Sequence, residues 1–188
     1  IISVDGWIVH VQYYDAETEQ EAWDTYDSIF TRWSDADSHY QNNGLTPSYG
    51  RKWYGGSKFI IPGFVDTHCH APQYAFTGTG MDLPLLQWLE KYTFPCESKF
   101  EDVVHARKVY EKSVKAHLNN GSTFCSYFAT IHSPAALVLA DVCDDLGQRA
   151  FVGKVSMDRN SPDFYIEETK KGCDDVEAFA RDVFKRTK

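Results

Sequence analysis

Pro62-Gly63-Phe64-Val65-Asp66-Thr67-His68-Cys69-His70 is the stretch on which the fold turns. Phe59-Ile60-Ile61 precedes it, so an apolar run enters a strand through Phe64 and Val65. Side chains alternate along a strand, which puts His68 and His70 on one face. Two imidazoles two residues apart at a strand's end can reach one metal ion, and zinc accepts neutral imidazole nitrogen at about 2.0–2.1 Å. Asp66 shares their parity and is expected further down the same face as support for the ligands. Cys69 has the opposite parity and is expected to face covering helices. A bare His-x-His is weak evidence for metal. Here the apolar run and the Pro-Gly before it place the pair at the C-terminal end of a strand, where (β/α)₈ enzymes keep their chemistry.

Downstream, the chain alternates helix and strand. Residues 82–92 carry a short helical pattern with Leu85, Leu86 and Leu89. Residues 101–118 carry a longer one, with Val103, Ala106, Tyr110 and Val114 on one face. Asn120-Gly121 predicts its end, the glycine supplying a left-handed turn. Residues 122–128 are β-branched and aromatic and predict a strand. Ser133-Pro134 predicts a helix start, with Ser133 as N-cap and Pro134 at the first helical position, and Gly147 predicts the stop. Residues 150–155, including Lys154, predict a strand buried on both faces. Asp174 and Glu177 predict a capping box for a last helix with a buried stripe of Val176, Phe179, Ala180, Val183 and Phe184. Repeated β-α units imply a parallel sheet covered by helices. About three units are visible, where a closed barrel takes eight and about 250 residues. The expected class is α/β: the first part of a (β/α)₈ barrel over residues 58–188, truncated at the C-terminus.

Upstream, residues 3–13 predict one strand or a short strand pair. Residues 15–33 predict a helix with Trp23, Tyr26, Phe30 and Trp33 at helical spacing, and residues 34–57 a long polar loop. Residues 1–57 are expected to form an incomplete β-rich N-terminal domain.

Composition bounds the partners. The 188 residues are 43% hydrophobic and carry a net charge of -8, which argues against a nucleic-acid surface and against attraction to an anionic membrane. No run approaches a membrane span of roughly 18 apolar residues. The start, Ile1-Ile2-Ser3, lacks a signal-peptide pattern and an initiator Met, so the chain is expected to begin inside a longer product. Five cysteines without a C-x-x-C fit reduced thiols in the cytosol better than a disulfide framework.

Several blocks carry a more specific signal. The first-strand segment is followed by His70-Ala71-Pro72-Gln73-Tyr74, by Asp82-Leu83-Pro84-Leu85-Leu86-Gln87-Trp88-Leu89 and by Lys91-Tyr92-Thr93-Phe94-Pro95. Tyr127-Phe128-Ala129-Thr130-Ile131-His132 and the run from Gly147 to Asp158 come next, in order. From about residue 58 to 170 the chain resembles the guanine deaminase family of the amidohydrolase superfamily. The resemblance implies a zinc-dependent conversion of guanine and water into xanthine and ammonia, with one Zn²⁺ per complete subunit. It implies metal ligation by His68 and His70, and purine contact by Gln73 and by the backbone around His70, Ala71 and Pro72. A cytosolic homodimer is implied as well.

The resemblance also implies what is missing. Two further His, an Asp, the general acid/base Glu and a base-binding Arg are expected beyond residue 188, so no catalytic residue is assigned within the chain and the isolated piece is expected to be inactive. His105 and His117 lie on a helix and read as solvated, whereas His10 and His39 lie in the weakly matching region. His132 reads as structural or capping, and Lys154 as structural. The H-x-E and P-C-x-x-C signature of the cytidine deaminase fold is absent. Two other readings stand beside the first: a superfamily deaminase or hydrolase acting on a related heterocycle, and a non-catalytic truncated derivative.

Overall fold

The computed structural model describes residues 2–4, 7–10, 20, 21, 24 and 61–186. The chain divides into two units, Ile1–Ile60 and Ile61–Lys188. In the first, β1 (Ile2–Val4) and β2 (Trp7–His10) pair antiparallel, with Val4 opposite Trp7. Of the two readings of this segment, the strand pair is the one found. Gln20, Glu21 and Asp24 are helical, and Gln20 Nε2 donates to Asp24 Oδ1 one turn on, at 2.9 Å. The aromatic stripe expected in 15–33, the 34–57 loop and His39 lie outside the described residues.

The second unit is built on a parallel sheet in the order β3 (Phe64–His70), β4 (Ser122–Phe128), β5 (Arg149–Gly153). Parallel neighbours need crossover connections. Here α1 (Val103–Asn119) joins β3 to β4, α2 (Ser133–Leu146) joins β4 to β5, and α3 (Thr169–Arg186) follows. Between β3 and α1 runs a chain of short helical pieces from Leu85 to Glu101. The core lies between the sheet and its helices. Cys125 and Tyr127 of β4 pack there with Ala106, Tyr110 and Val114 of α1, Leu139 and Val142 of α2, and Phe179 of α3.

The other face of the sheet is open. Phe124 and Phe151 meet edge to face at 5.1 Å there, and Phe151 is 69% exposed, whereas Ala150 and Val152 pack against the core. β5 is therefore buried on one face, not both. It also ends at Gly153, so Lys154 lies just past the strand.

The helix ends mix expected and unexpected devices. Asp102 caps α1 by accepting the Val104 N–H at 2.8 Å. Gly121 and Gly147 take the left-handed backbone (φ 87° and 72°) that the sequence predicts after α1 and α2. Pro134 sits in the first turn of α2, but the N-cap is His132; Ser133 is already helical, and its buried Oγ finds no hydrogen-bond partner among the described residues. The capping box at Asp174 and Glu177 is also not found. α3 starts at Thr169, where the Glu168 carboxylate accepts the Lys170 and Lys171 N–H groups at 2.9 and 2.7 Å. Asp174 and Glu177 pair instead with Lys170 and Arg181, one turn away on the same helix. Of the expected stripe, Phe179 is buried, Ala180 and Val183 partly so, and Val176 and Phe184 are exposed.

Two register shifts shape β3. Phe64 and Val65 lie opposite Ser122 and Phe124, so β4 carries one extra residue, Thr123. Thr123 sits beside Gly63, where an added Cβ would lie 2.1 Å from Thr123 Oγ1 and 2.7 Å from its Cβ. Thr123 is exposed, but turning about χ1 leaves its Cβ 2.7 Å from the added carbon, so the backbone must shift. Gly63→Ala should cost about 1–3 kcal/mol, the usual range for overpacking; an unchanged urea midpoint would contradict this.

Candidate functional site

The second shift in β3 lies between Asp66 and Cys69. Asp66 pairs with Cys125 and Cys69 with Tyr127: three steps on β3 against two on β4. The extra residue changes the alternation within the strand. His68 and His70 stay together beyond it, their rings against Phe128 at centroid distances of 4.4 and 5.1 Å. Asp66 does not share their face. Its Oδ2 lies 3.1 Å from His117 Nε2 of α1, on the helix-covered side, while its Oδ1 accepts the His68 N–H at 3.0 Å. The expectation that Asp66 lies under the two imidazoles is thus corrected, because the bulge breaks the simple parity rule. Cys69 packs against the helix-covered core, as expected.

His68 Nε2 and His70 Nε2 are 3.2 Å apart. Two nitrogens held at about 2.0–2.1 Å by one tetrahedral ion would be separated by about 3.3 Å. The pair thus has the spacing and donor type that zinc takes. Burial, and then the charge of neighbouring His68, hold the His70 imidazole below its ordinary pKa and favour the neutral form that a ligand must have.

After His70 the chain turns at once into a 3₁₀ segment, Ala71–Phe76, with Pro72 in its first turn. Ala71 and Pro72 are buried. Gln73 is partly buried, and its Nε2 donates to Glu97 Oε1 at 3.4 Å. Glu97 is 4% exposed and accepts a second bond, from the Tyr165 hydroxyl to Oε2 at 2.6 Å. This buried carboxyl escapes sequence reading, because an acid in Phe94-Pro95-Cys96-Glu97 has no periodic partner that marks it as buried.

Burial raises the Glu97 carboxyl above its ordinary pKa, and the bonds from Tyr165 and Gln73 only partly oppose this. The sign of the pH effect follows. Between the ordinary carboxyl value and the raised one, the folded state holds more protons than the unfolded state, so stability falls as pH rises through that window. Glu97→Gln should flatten this part of the stability–pH curve, as read by urea denaturation. An equally steep fall in the variant would count against it.

His117 is not solvated, contrary to its helical position in sequence. Its side chain is 19% exposed and held from both sides: Nε2 faces Asp66, and Nδ1 lies 2.9 Å from the Tyr127 hydroxyl. Tyr127 donates in turn to Gln148 Oε1 at 2.8 Å, and Gln148 Nε2 donates to the Ser122 carbonyl at 3.0 Å. His105 is half-buried against the edge of Phe100. His132 occupies the N-cap position of α2 without capping it through its side chain; its Nδ1 lies 3.0 Å from Thr130 Oγ1. Lys154 is structural, its buried ammonium held by the Glu167 carboxylate at 2.8 and 2.9 Å. The structure thus brings His68 and His70 together, ties Gln73 to Glu97 and Tyr165, and separates Asp66 from the imidazole pair.

Residues 59–188 match the model of the amidohydrolase family. Guanine deaminase of Dictyostelium discoideum is 57% identical over 124 residues, covering 66% of this chain and 28% of the relative. Guanine deaminase of Homo sapiens is 49% identical over 131 residues, covering 69% and 29%. Among solved structures, guanine deaminase from C. acetobutylicum with guanine bound in the active site superposes with a TM-score of 0.64 at 42% identity, covering 65% of this chain and 29% of that one. The chain therefore spans under a third of the length of these relatives.

Proposed function

The chain belongs to the amidohydrolase family, and from that premise we propose that the whole protein deaminates guanine hydrolytically, giving xanthine and ammonia, at a zinc ion held in part by His68 and His70. The observation that carries this reading is the 3.2 Å approach of the two imidazole nitrogens at the C-terminal end of a parallel strand. Its context is a chain 49–57% identical to guanine deaminases over the same region.

When bound, zinc supplies the Lewis acidity that makes water nucleophilic near neutral pH. His68 and His70 hold the ion, and Phe128 packs against both rings and limits their rotation. Gln73 meets the base through its amide, which both donates and accepts and so suits a purine edge. Glu97 takes one of the Gln73 N–H groups, leaving the other N–H and the carbonyl for the base. Backbone around His70, Ala71 and Pro72 borders the same position.

The three parallel strands are read as the first part of a (β/α)₈ barrel. The open face bearing Phe124 and the largely exposed Phe151 is the surface that later strands would cover. The assembly is read as a cytosolic homodimer. Five free thiols suit a reducing compartment, and no helix among the described residues is long and apolar enough to cross a membrane.

A second reading, deamination of a related heterocycle, is favoured by 32% identity over 111 residues to 5-methylthioadenosine/S-adenosylhomocysteine deaminase of Syntrophobacter fumaroxidans. Turnover assays on the full-length protein separate the two. Guanine should give xanthine and ammonia with the highest kcat/KM. A clear preference for 5-methylthioadenosine would overturn the guanine assignment.

A further inference from the structure

On the helix-covered side of β3, away from the imidazole pair, Asp66, Cys69, His117 and Cys125 bring one donor atom each to within 4.8 Å of one another. Two are thiols, one is an imidazole and one a carboxylate, from β3, α1 and β4.

The protons of the surrounding network can be placed. Only an N–H can face the Ser122 carbonyl, so Gln148 presents Nε2 there and Oε1 to Tyr127. Oε1 has no hydrogen, so the single hydroxyl proton of Tyr127 is donated to it. The Tyr127 oxygen must then accept from His117 Nδ1 at 2.9 Å, which puts the ring proton on Nδ1. His117 Nε2 faces Asp66 Oδ2 from 3.1 Å, so a ring nitrogen and a carboxylate oxygen meet at one point. The Cys69 and Cys125 sulfurs reach the same place.

We propose that Asp66, Cys69, His117 and Cys125 form a second, structural metal site for zinc, distinct from the one assigned to His68 and His70. A tetrahedral zinc with Zn–S of about 2.3 Å keeps its sulfurs about 3.8 Å apart. The four donors therefore close on an ion with shifts of no more than about 1 Å. Tyr127 receives the outer ring N–H of His117, the kind of partner that fixes a ligand imidazole. Binding releases the two thiol protons to solvent. The side chains of Asp66 and His117 are 35% and 19% exposed, which gives the ion a way in, while Cys125 is fully buried. Asp66 also holds the His68 backbone N–H, so the ion would stiffen the strand that carries the imidazole pair.

The test strips the full-length protein with a chelator and reloads it with Co²⁺. Thiolate ligation produces a sulfur-to-cobalt charge-transfer band in the near ultraviolet, which imidazole ligation does not. The band should appear in the wild type, be lost in Cys69→Ser and in Cys125→Ser, and persist in a His68→Ala/His70→Ala variant. A folded wild type without the band, or a band surviving both serine variants, would overturn the proposal. Should the serine variants fail to fold, zinc-edge X-ray absorption of the wild type decides: sulfur scatterers at about 2.3 Å support the site, and a shell of nitrogen and oxygen alone refutes it.

Discussion

Replacing His68 by alanine in the full-length protein should release one equivalent of zinc and lower guanine turnover by several orders of magnitude. His68 and His70 are the two donors this part of the chain brings to one point, 3.2 Å apart. Removing one takes away half of the ligand pair that this part of the chain supplies, and Phe128 loses one of the two rings it packs against. The chemical loss is large because, without the metal, water keeps its ordinary, far higher pKa and is a poor nucleophile near neutral pH. The fold should survive. His68 is exposed on the open face and contributes nothing to the core between sheet and helices. Metal analysis, kcat and far-ultraviolet circular dichroism on the same preparation check this. A folded variant that keeps both its zinc content and its turnover would remove His68 from the ligand set.

Lys154→Met should destabilise the protein by about 3–5 kcal/mol, the cost of leaving one charge of a buried ion pair without its partner. The Lys154 side chain is fully buried and its Nζ lies 2.8 and 2.9 Å from the two Glu167 oxygens, with the Val155 carbonyl at 2.9 Å. Glu167 is 7% exposed and also accepts the Met157 N–H at 3.0 Å. The pair fastens the segment after β5 to the residues that lead into α3. Removing the lysine strands a carboxylate among groups that cannot hydrate it. The double variant Lys154→Met/Glu167→Gln should recover a large share of the loss, because it deletes the stranded charge as well. Urea denaturation of the two single variants and the double one measures the coupling. A loss below 1 kcal/mol in Lys154→Met would show that the charge finds water.

The alternation of side chains was enough to place His68 and His70 together, because both lie on one side of the irregularity in β3. It failed for Asp66, which lies on the other side. The bulge depends on how β3 pairs with β4, a relation between residues more than fifty positions apart. His117 failed for the same kind of reason: its partners Asp66 and Tyr127 come from two strands, and its helical spacing alone gives no sign of them. The order of strands and helices was readable from apolar runs and from Gly121 and Gly147. Caps were less so. Ser133 and Asp174 each fit a local motif, but Glu168, six residues before the expected cap Asp174, supplied the carboxylate that the first N–H groups of α3 needed. Glu97 is buried by tertiary packing against Tyr165, which no local pattern announces.

The central claim is that the imidazoles of His68 and His70 share one zinc ion. Anomalous diffraction at the zinc edge from crystals of the full-length protein tests it most directly. The account predicts a peak at about 2.0–2.1 Å from Nε2 of both rings. A zinc-replete crystal with no anomalous peak at that position would contradict it.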